Sequence, residues 1–114
     1  MKYEVMMTSQ AVADLRTVFE YIAYELLAGQ TALNQLERLE EAIEGLEEMP
    51  ERHHVYEKEP WKSRNLRVMP VDNYLVFYIA EKEEKRVTVI RIMYGRRDIE
   101  TQLKAHTPDK DSGK

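Results

Sequence analysis

The stretch NYLVFYIAEKEEKRVTVIRIMYGRRD, residues 73–98, contains two apolar runs separated by the charged segment EKEEK. β-Branched and aromatic residues dominate both runs, which is the composition typical of strands in a half-buried sheet. The short polar segment between them suits the turn of an antiparallel hairpin. We therefore predict that Tyr74–Ala80 and Arg86–Tyr94 are neighbouring antiparallel strands.

Two further strands are predicted on the N-terminal side of this hairpin. Arg64–Met69 alternates in the same way and is joined to the hairpin by PVDN, which contains turn-forming residues. Tyr3–Met7 is a shorter run with weaker alternation. A loop rich in charged and aromatic residues, MPERHHVYEKEPWKS at 49–63, precedes the second of the four predicted strands.

Between the first strand and this loop, apolar residues recur at every third or fourth position, which indicates two amphipathic helices. The first begins at Thr8 or Ser9, whose hydroxyl suits an N-cap, and ends near Leu27 before Gly29. The second extends from about Thr31 to Glu48 and is closed by Pro50. The predicted apolar stripes are Leu15, Val18, Phe19, Ile22 and Leu26 in the first helix, and Leu33, Leu36, Leu39, Ile43 and Leu46 in the second.

The predicted element order is β-α-α-β-β-β, which defines an α+β fold. A small antiparallel sheet would be packed on one face by a two-helix hairpin. The length of 114 residues supports one hydrophobic core. We assign residues 1–104 to a single domain and predict that the polar segment 105–114 is a disordered tail. The sheet face away from the helices is expected to be only partly covered.

Composition excludes several classes of site. The chain has no cysteine, so a disulfide, a thiolate metal site and a cysteine nucleophile are all excluded. No metal or other cofactor is expected. The apolar segments are too short for a signal-peptide core or a membrane span, so we expect a cytoplasmic protein without a membrane partner.

Charge is distributed unevenly along the chain, whose net value is −4. Residues 1–50 carry three basic and ten acidic side chains, whereas residues 51–114 carry fourteen basic and eleven acidic ones. The halves therefore have net charges of −7 and +3. The arginines of the last predicted strand and the turn after it suggest a surface for an anionic or acidic partner.

Three segments together resemble the RelE/ParE superfamily of toxins from type II toxin–antitoxin modules. They are SQAVADLRTVFEYIAYEL, LRVMPVDNYLVFYI and VTVIRIMYGRRDI, and the likeness extends over Tyr3–Leu103. The resemblance implies a toxin that inhibits growth and is neutralised by a cognate antitoxin in a heteromeric complex. RelE-like members are ribosome-dependent endoribonucleases that cut messenger RNA, whereas ParE-like members poison DNA gyrase.

The catalytic pattern of RelE-like toxins is only partly present. The resemblance places Arg97 on the family's C-terminal arginine, but Leu75 and Leu103 stand where a second arginine and the terminal tyrosine are expected. Arg64 and Arg67 take the place of lysines and supply positive charge. An arginine is a poor general base, because its pKa remains above about 12.

Other side chains offer substitutes, each with a structural alternative. Tyr94 is either a catalytic group or an aromatic residue packed at a strand end. Trp61 either stacks on a base or covers the core. His53 and His54 are adjacent in an extended loop and point in opposite directions, so they form a poor metal pair.

Arg91 has two interpretations of equal weight. On a regular strand it would face the same way as Val89 and Met93, opposite Ile90 and Ile92. It would then either anchor a carboxylate within the fold or contact phosphate on the open sheet face.

The sequence favours ParE-like inhibition of gyrase by binding, because of Leu75, Leu103 and the acidic balance. The alternative is a RelE-like messenger RNA endonuclease acting on the ribosome, and a second alternative is a non-toxic domain that only binds a partner. Enzymatic activity is left open. The candidate residues are Arg67, Tyr94 and Arg97 for catalysis, Arg64, Arg91, Arg96, Trp61 and Lys62 for nucleic-acid or target contact, and Arg91, Arg96 and Arg97 for antitoxin binding.

Overall fold

The computed structural model describes residues 2–95, Ile99 and Leu103, and within this part of the chain the order is β-α-α-β-β-β as predicted. The predictions for Arg96, Arg97 and the tail 105–114 lie outside the described residues. The elements are β1 Glu4–Met7, α1 Ser9–Glu20, α2 Gly29–Glu44, β2 Arg67–Val71, β3 Tyr74–Glu81 and β4 Arg86–Tyr94. A π-helical turn follows α1 at Tyr21–Glu25, and 3-10 turns lie at Gly45–Glu47 and Pro50–Arg52.

The four strands form one sheet in the order β1-β4-β3-β2. β2, β3 and β4 are antiparallel neighbours, as predicted, but β1 is parallel to β4, with Glu4 opposite Arg86 and Met7 opposite Val89. The sheet is therefore mixed rather than purely antiparallel. The chain crosses from β1 through the helical hairpin before it returns to the sheet, and such a crossover allows parallel pairing.

The helix boundaries differ from the prediction at the hairpin tip. Thr8 is the N-cap of α1 and accepts a hydrogen bond from the Ala11 N–H at 3.0 Å, as expected. Gly29 begins α2 instead of ending the first helix, and Leu27 adopts the left-handed conformation with φ 52°. The Ala28 N–H donates to the Ile22 carbonyl at 3.1 Å, which satisfies one of the carbonyls exposed at a helix end.

β2 begins three residues later than predicted, at Arg67, and includes Pro70. Proline is tolerated there because β2 is an edge strand. The turn that follows places Asp72 at φ 56°, and the carboxylate of Asp72 accepts hydrogen bonds from Gln35 at 2.9 Å and Arg38 at 2.7 Å. This turn thereby fastens the β2–β3 hairpin to α2.

The helices pack on one sheet face through what we call the helix-side cluster. Its fully buried centre includes Leu39 and Leu46 from the helical hairpin and Val76, Tyr78, Val87 and Val89 from the sheet. Leu36, which is half-buried, lies outside it, as do two largely exposed members of the predicted stripes, Leu26 at 56% and Leu33 at 48%. The latter two are near the hairpin tip, beyond the area that the sheet covers.

The opposite sheet face carries a second core, which we call the loop-side cluster. Trp61, Leu66, Phe77, Met93 and Leu103 are its buried members. Residues of the loop before β2 and of the segment after β4 therefore cover this face. The cover extends over a second buried core, because the loop folds back over the sheet with its aromatic side chains, while Val68, Leu75 and Ile79 on this face stay partly exposed.

A β-bulge in β4 changes which residues share a face. Phe77 is opposite Arg91 and Tyr78 is opposite Val89, so β4 has one extra residue between these pairs. Val89 and Ile92 consequently belong to the helix-side cluster, whereas Ile90 and Met93 belong to the loop-side cluster. The predicted grouping of Ile90 with Ile92 was wrong, because it assumed uninterrupted alternation.

We expect Leu39→Ala to lower the free energy of unfolding by about 2–5 kcal/mol, because it opens a cavity at the centre of the helix-side cluster. Leu33→Ala on the same helix is the matched control, with an expected loss below about 0.5 kcal/mol. Urea denaturation followed by circular dichroism measures both. Equal losses would contradict the assignment of the core face of α2.

Candidate functional site

The strongest polar arrangement in the described chain is a buried ion pair between α1 and β4. The Arg91 Nε donates to Asp14 Oδ2 at 2.8 Å, and Arg91 Nη2 donates to Asp14 Oδ1 at 3.2 Å. The two side chains are only 5% and 9% exposed. Of the two interpretations of Arg91, the structure shows the one in which it anchors a carboxylate within the fold.

Asp14 also accepts a backbone hydrogen bond from β4 in a region that β1 does not reach. β1 ends at Met7, opposite Val89, while β4 continues to Tyr94. Beyond that point the Ile92 N–H donates to Asp14 Oδ2 at 2.9 Å, and the Thr8 hydroxyl donates to the Ile90 carbonyl at 2.9 Å. The beginning of α1 therefore satisfies backbone groups of β4 that no neighbouring strand reaches.

The spacing of α1 contains a signal for this arrangement that the sequence interpretation did not use. Asp14 lies three residues after Ala11 and four before Val18, and all three are buried on the same face of α1. An acidic residue on the apolar face of a helix requires a compensating cation or several donors. Arg91 is the cation, and Gln10 supplies a further donor at 3.0 Å.

A groove of about 560 Å³ lies between the helical hairpin and the ends of β3 and β4. Asp14 and Arg91 are among the residues that line it, together with Tyr21, Tyr74 and Tyr94. The rings of Tyr74 and Tyr94 meet edge to face with centroids 5.7 Å apart. Tyr94 is 37% exposed, so its position agrees with an aromatic residue packed at a strand end that still reaches solvent.

Arg67 lies in a different region and holds the loop before β2. Its Nη1 donates to the Glu51 carbonyl at 3.1 Å and to the His53 carbonyl at 2.7 Å. Since Arg67 pairs with Tyr78 and Tyr94 pairs with Tyr74, their Cα atoms are about 16 Å apart from strand spacings. The structure does not bring these two catalytic candidates together.

Two titratable side chains next to Arg67 have shifted pKa values. Burial raises the pKa of Tyr78 to about 12, and its hydroxyl donates to the Pro50 carbonyl. Burial also lowers the pKa of His53, and the charges of Arg52 and His54 act in the same direction. The His53 and Tyr78 rings meet edge to face at 6.4 Å. The sequence interpretation considered His53 only as a member of a metal pair and did not foresee its contact with Tyr78.

Three remaining candidates lie on the loop before β2, and they differ in exposure. Trp61 is 5% exposed, and the Arg64 guanidinium lies 5.2 Å from the centre of its ring. Trp61 thus has the geometry of a residue that covers the core, with a cation over one face. Lys62 is exposed on the same loop, and Arg64 is half-buried. Arg96 and Arg97 lie outside the described residues.

Leu75 and Leu103, which replace catalytic residues in the resemblance, contribute to the loop-side cluster. Leu103 is fully buried, and Leu75 packs against the cluster with partial exposure. Among the residues with described positions, no three histidine, aspartate or glutamate side chains are grouped as a metal site. In the same set no helix has the length and apolarity needed to cross a bilayer.

Comparisons with known proteins identify relatives of the whole fold. The family model for the ParE toxin of the type II toxin–antitoxin system parDE matches residues 5–99. No curated protein matches the chain in sequence.

Solved structures show the same fold at low identity. The chromosomal ParDE toxin–antitoxin system from P. aeruginosa has a TM-score of 0.66 at 17% identity, over 82% of this chain and 96% of that one. The RelBE2 toxin–antitoxin complex from Mycobacterium tuberculosis scores 0.62 at 20% identity, over 82% and 92%. A double mutant of toxin RelE from E. coli in the free state scores 0.62 at 15% identity, over 94% and 95%.

We expect Arg91→Met to lower the free energy of unfolding by about 3–5 kcal/mol, since Asp14 would remain buried without its cation. Arg38→Met, which breaks the exposed pair with Asp72, is the control and should cost less than about 1 kcal/mol. Urea denaturation provides both values. The role assigned to the buried pair fails if the two substitutions cost the same.

The lowered pKa of His53 predicts a defined pH dependence. The unfolded chain binds a proton at His53 near its ordinary pKa of 6.5, whereas the folded chain binds it only at lower pH. The stability that the folded state gains from an uncharged His53 is therefore fully present above pH 6.5 and is lost as the pH falls below that value. Urea midpoints should decline between about pH 7 and pH 5.5 less steeply in His53→Gln than in the wild type. Identical slopes would contradict the prediction.

Proposed function

The chain belongs to the ParE toxin family of type II toxin–antitoxin systems, and on this basis we propose that it inhibits DNA gyrase by binding and is neutralised by a cognate antitoxin. The proposal specifies a protein target and a mechanism without bond cleavage. The main support comes from Leu75 and Leu103, which stand where the resemblance to RelE-like toxins would expect catalytic side chains.

The observation that carries the proposal is the use of those positions for packing. Leu103 is fully buried in the loop-side cluster, and Leu75 packs against it. Neither side chain can donate a proton or stabilise a phosphorane. Arg67 and Tyr94 do not compensate, because Arg67 is bonded to loop carbonyls and is about 16 Å from Tyr94 by strand spacing.

A second observation supports binding to a protein. Four apolar or aromatic side chains at the hairpin tip are largely exposed: Tyr21 at 54%, Tyr24 at 68%, Leu26 at 56% and Leu27 at 86%. Contiguous exposed apolar surface is a common mark of protein interfaces. Leu27 also holds a left-handed backbone conformation that is unusual for leucine. We infer that this tip, defined by these four residues, contacts the target.

The antitoxin is part of the proposal because relatives with this fold include ParDE and RelBE toxin–antitoxin assemblies. Of the arginines assigned to antitoxin binding, Arg91 is only 4% exposed and acts within the fold. Arg96 and Arg97 stay candidates for that contact.

The runner-up function is a ribosome-dependent messenger RNA endonuclease, and one observation favours it. Burial and the charge of Arg52 lower the pKa of His53, whose backbone carbonyl accepts a hydrogen bond from Arg67, so a histidine and two cations lie in one region. A non-toxic domain that only binds a partner is the third alternative. Growth of cells that contain soluble protein separates this last alternative from both toxic functions.

Two purified assays separate gyrase inhibition from RNA cleavage. We expect the protein to block supercoiling of relaxed plasmid by gyrase and to leave messenger RNA intact in a purified translation system. Ribosome-dependent cuts that disappear in His53→Gln and Arg67→Ala would overturn the proposal and establish the endonuclease.

The double variant Tyr24→Asp/Leu27→Asp should relieve growth inhibition by at least about tenfold, because it places charge on the apolar tip. Its melting temperature should remain within a few degrees of the wild type, since both side chains are exposed. Val12→Asp is the matched control, because Val12 is 48% exposed and lies about 18 Å along the helix from Tyr24. Undiminished toxicity of the double variant would exclude the tip as the target contact.

A further inference from the structure

The hairpin tip forms one continuous apolar patch. Tyr21 and Leu26 are joined by the bond from the Leu26 N–H to the Tyr21 carbonyl at 3.2 Å, which closes the π-helical turn Tyr21–Glu25. Tyr24 lies three residues after Tyr21, a spacing at which helical side chains are neighbours, and Leu27 directly follows Leu26. The four exposed side chains are therefore close enough to act as a single surface.

The backbone of the tip departs from regular structure in two ways. π-Helical turns are rare and frequently lie at functional sites. Leu27 adds a left-handed residue with φ 52°, although its side chain is 86% exposed and contributes little to the core. Packing within the chain therefore does not account for this conformation, whereas presentation of Leu27 to a partner would account for it.

Charge separates the tip from the rest of the helical hairpin. Residues 21–36 contain a single charged side chain, Glu25, and no basic one. The continuation of α2 carries four exposed glutamates, at Glu37, Glu40, Glu41 and Glu44. Two copies that met along this acidic length would repel each other. Two tips bring together only one exposed carboxylate from each copy, and salt screens that repulsion.

The chemistry of the patch selects its occupant. Nucleic acid needs basic side chains for its phosphates, and residues 21–36 have none. A second copy offers a patch of identical apolar composition, which twofold symmetry places opposite the first. If each large side chain presents about 200 Å² when fully exposed, the exposed fractions of the four residues correspond to roughly 500 Å² per copy. The total of about 1,000 Å² is the lower limit for a specific interface and predicts a weak, reversible dimer.

We propose that two copies of the free chain pair through their hairpin tips in a reversible, twofold-symmetric dimer. Tyr21, Tyr24, Leu26 and Leu27 of each copy are buried against the same residues of the other. The dimer conceals the surface that we assign to target contact, so it is a self-inhibited form of the protein. Only this last consequence rests on the proposed function, because the pairing itself needs no target.

Sedimentation velocity of the full chain tests the pairing. We expect the apparent mass to rise toward that of two chains between about 1 μM and 500 μM, the range in which a weak interface dissociates. A mass that stays at one chain over this range overturns the proposal. Continued growth beyond two chains also overturns it, because a twofold contact is closed.

Two variants locate the contact. Tyr24→Asp/Leu27→Asp places two carboxylates from each copy in the interface, so it should raise the dimer dissociation constant by at least about tenfold. Val12→Asp adds a charge outside the tip, where Val12 is 48% exposed, and should change the constant by less than about twofold. Undiminished pairing of the double variant, or equal weakening by both variants, overturns the proposed interface.

Cross-linking tests the pairing in a chain that keeps the tip nearly intact. The chain has no cysteine, so Leu27→Cys carries a single thiol at the most exposed of the four tip residues. With a reducible bis(methanethiosulfonate) linker, dimers should form at least about tenfold faster than in Val12→Cys, because pairing raises the local concentration of the second thiol. Equal rates overturn the proposal.

The linked dimer separates the concealment of the tip from the proposed function. We expect linked Leu27→Cys to lose most of its inhibition of gyrase and to regain it when dithiothreitol releases the linker. Equal inhibition by the linked and released forms overturns the concealment. A released form that does not inhibit gyrase contradicts the proposed function, while rapid cross-linking and the sedimentation result still establish the dimer.

Discussion

The ion pair between Asp14 and Arg91 connects the two layers of this protein. It joins α1 to β4, a central strand of the sheet, and both side chains are nearly excluded from solvent. An isolated charge in that position would be strongly unfavourable, so each residue requires the other. Asp14 further accepts the Ile92 N–H and thereby completes the backbone bonding of β4 after β1 has ended.

The β-bulge and this ion pair belong to one local arrangement. The extra residue in β4 interrupts the alternation just before Arg91, and the arginine then reaches a carboxylate on the helix side of the sheet. Bulges commonly redirect a side chain in this manner. Of the two roles that the sequence left open for Arg91, the structure therefore shows the interior one, in which the arginine pairs with a carboxylate within the fold. The positive charge of β4 therefore contributes to the cohesion of the fold more than to the surface.

The loop-side cluster also limits the surface that is left for recognition. It covers the second sheet face with Trp61, Leu66 and Leu103, and it includes Leu75 and Leu103, which stand where the resemblance to RelE-like toxins would expect catalytic residues. Two surfaces of different chemistry remain exposed. The hairpin tip is apolar and aromatic, whereas the groove between β1 and the helices is lined by four glutamates beside apolar side chains. A toxin that must engage both a target and an antitoxin can use such surfaces independently.

The sequence by itself determined the element order, the α+β class, the complete extent of β4 and the hydroxyl cap of α1. Periodicity and capping are local properties, so they can be recognised without a partner in space. The parallel position of β1, the bulge at Arg91, the pairing of that residue with Asp14 and the covering of the second face were decided only in the tertiary structure. Each depends on groups far apart in the chain, and Asp14 and Arg91 are separated by 77 positions. Their environment is defined only when the helix packs on the sheet, because only then does the loss of solvent make the buried charges require each other.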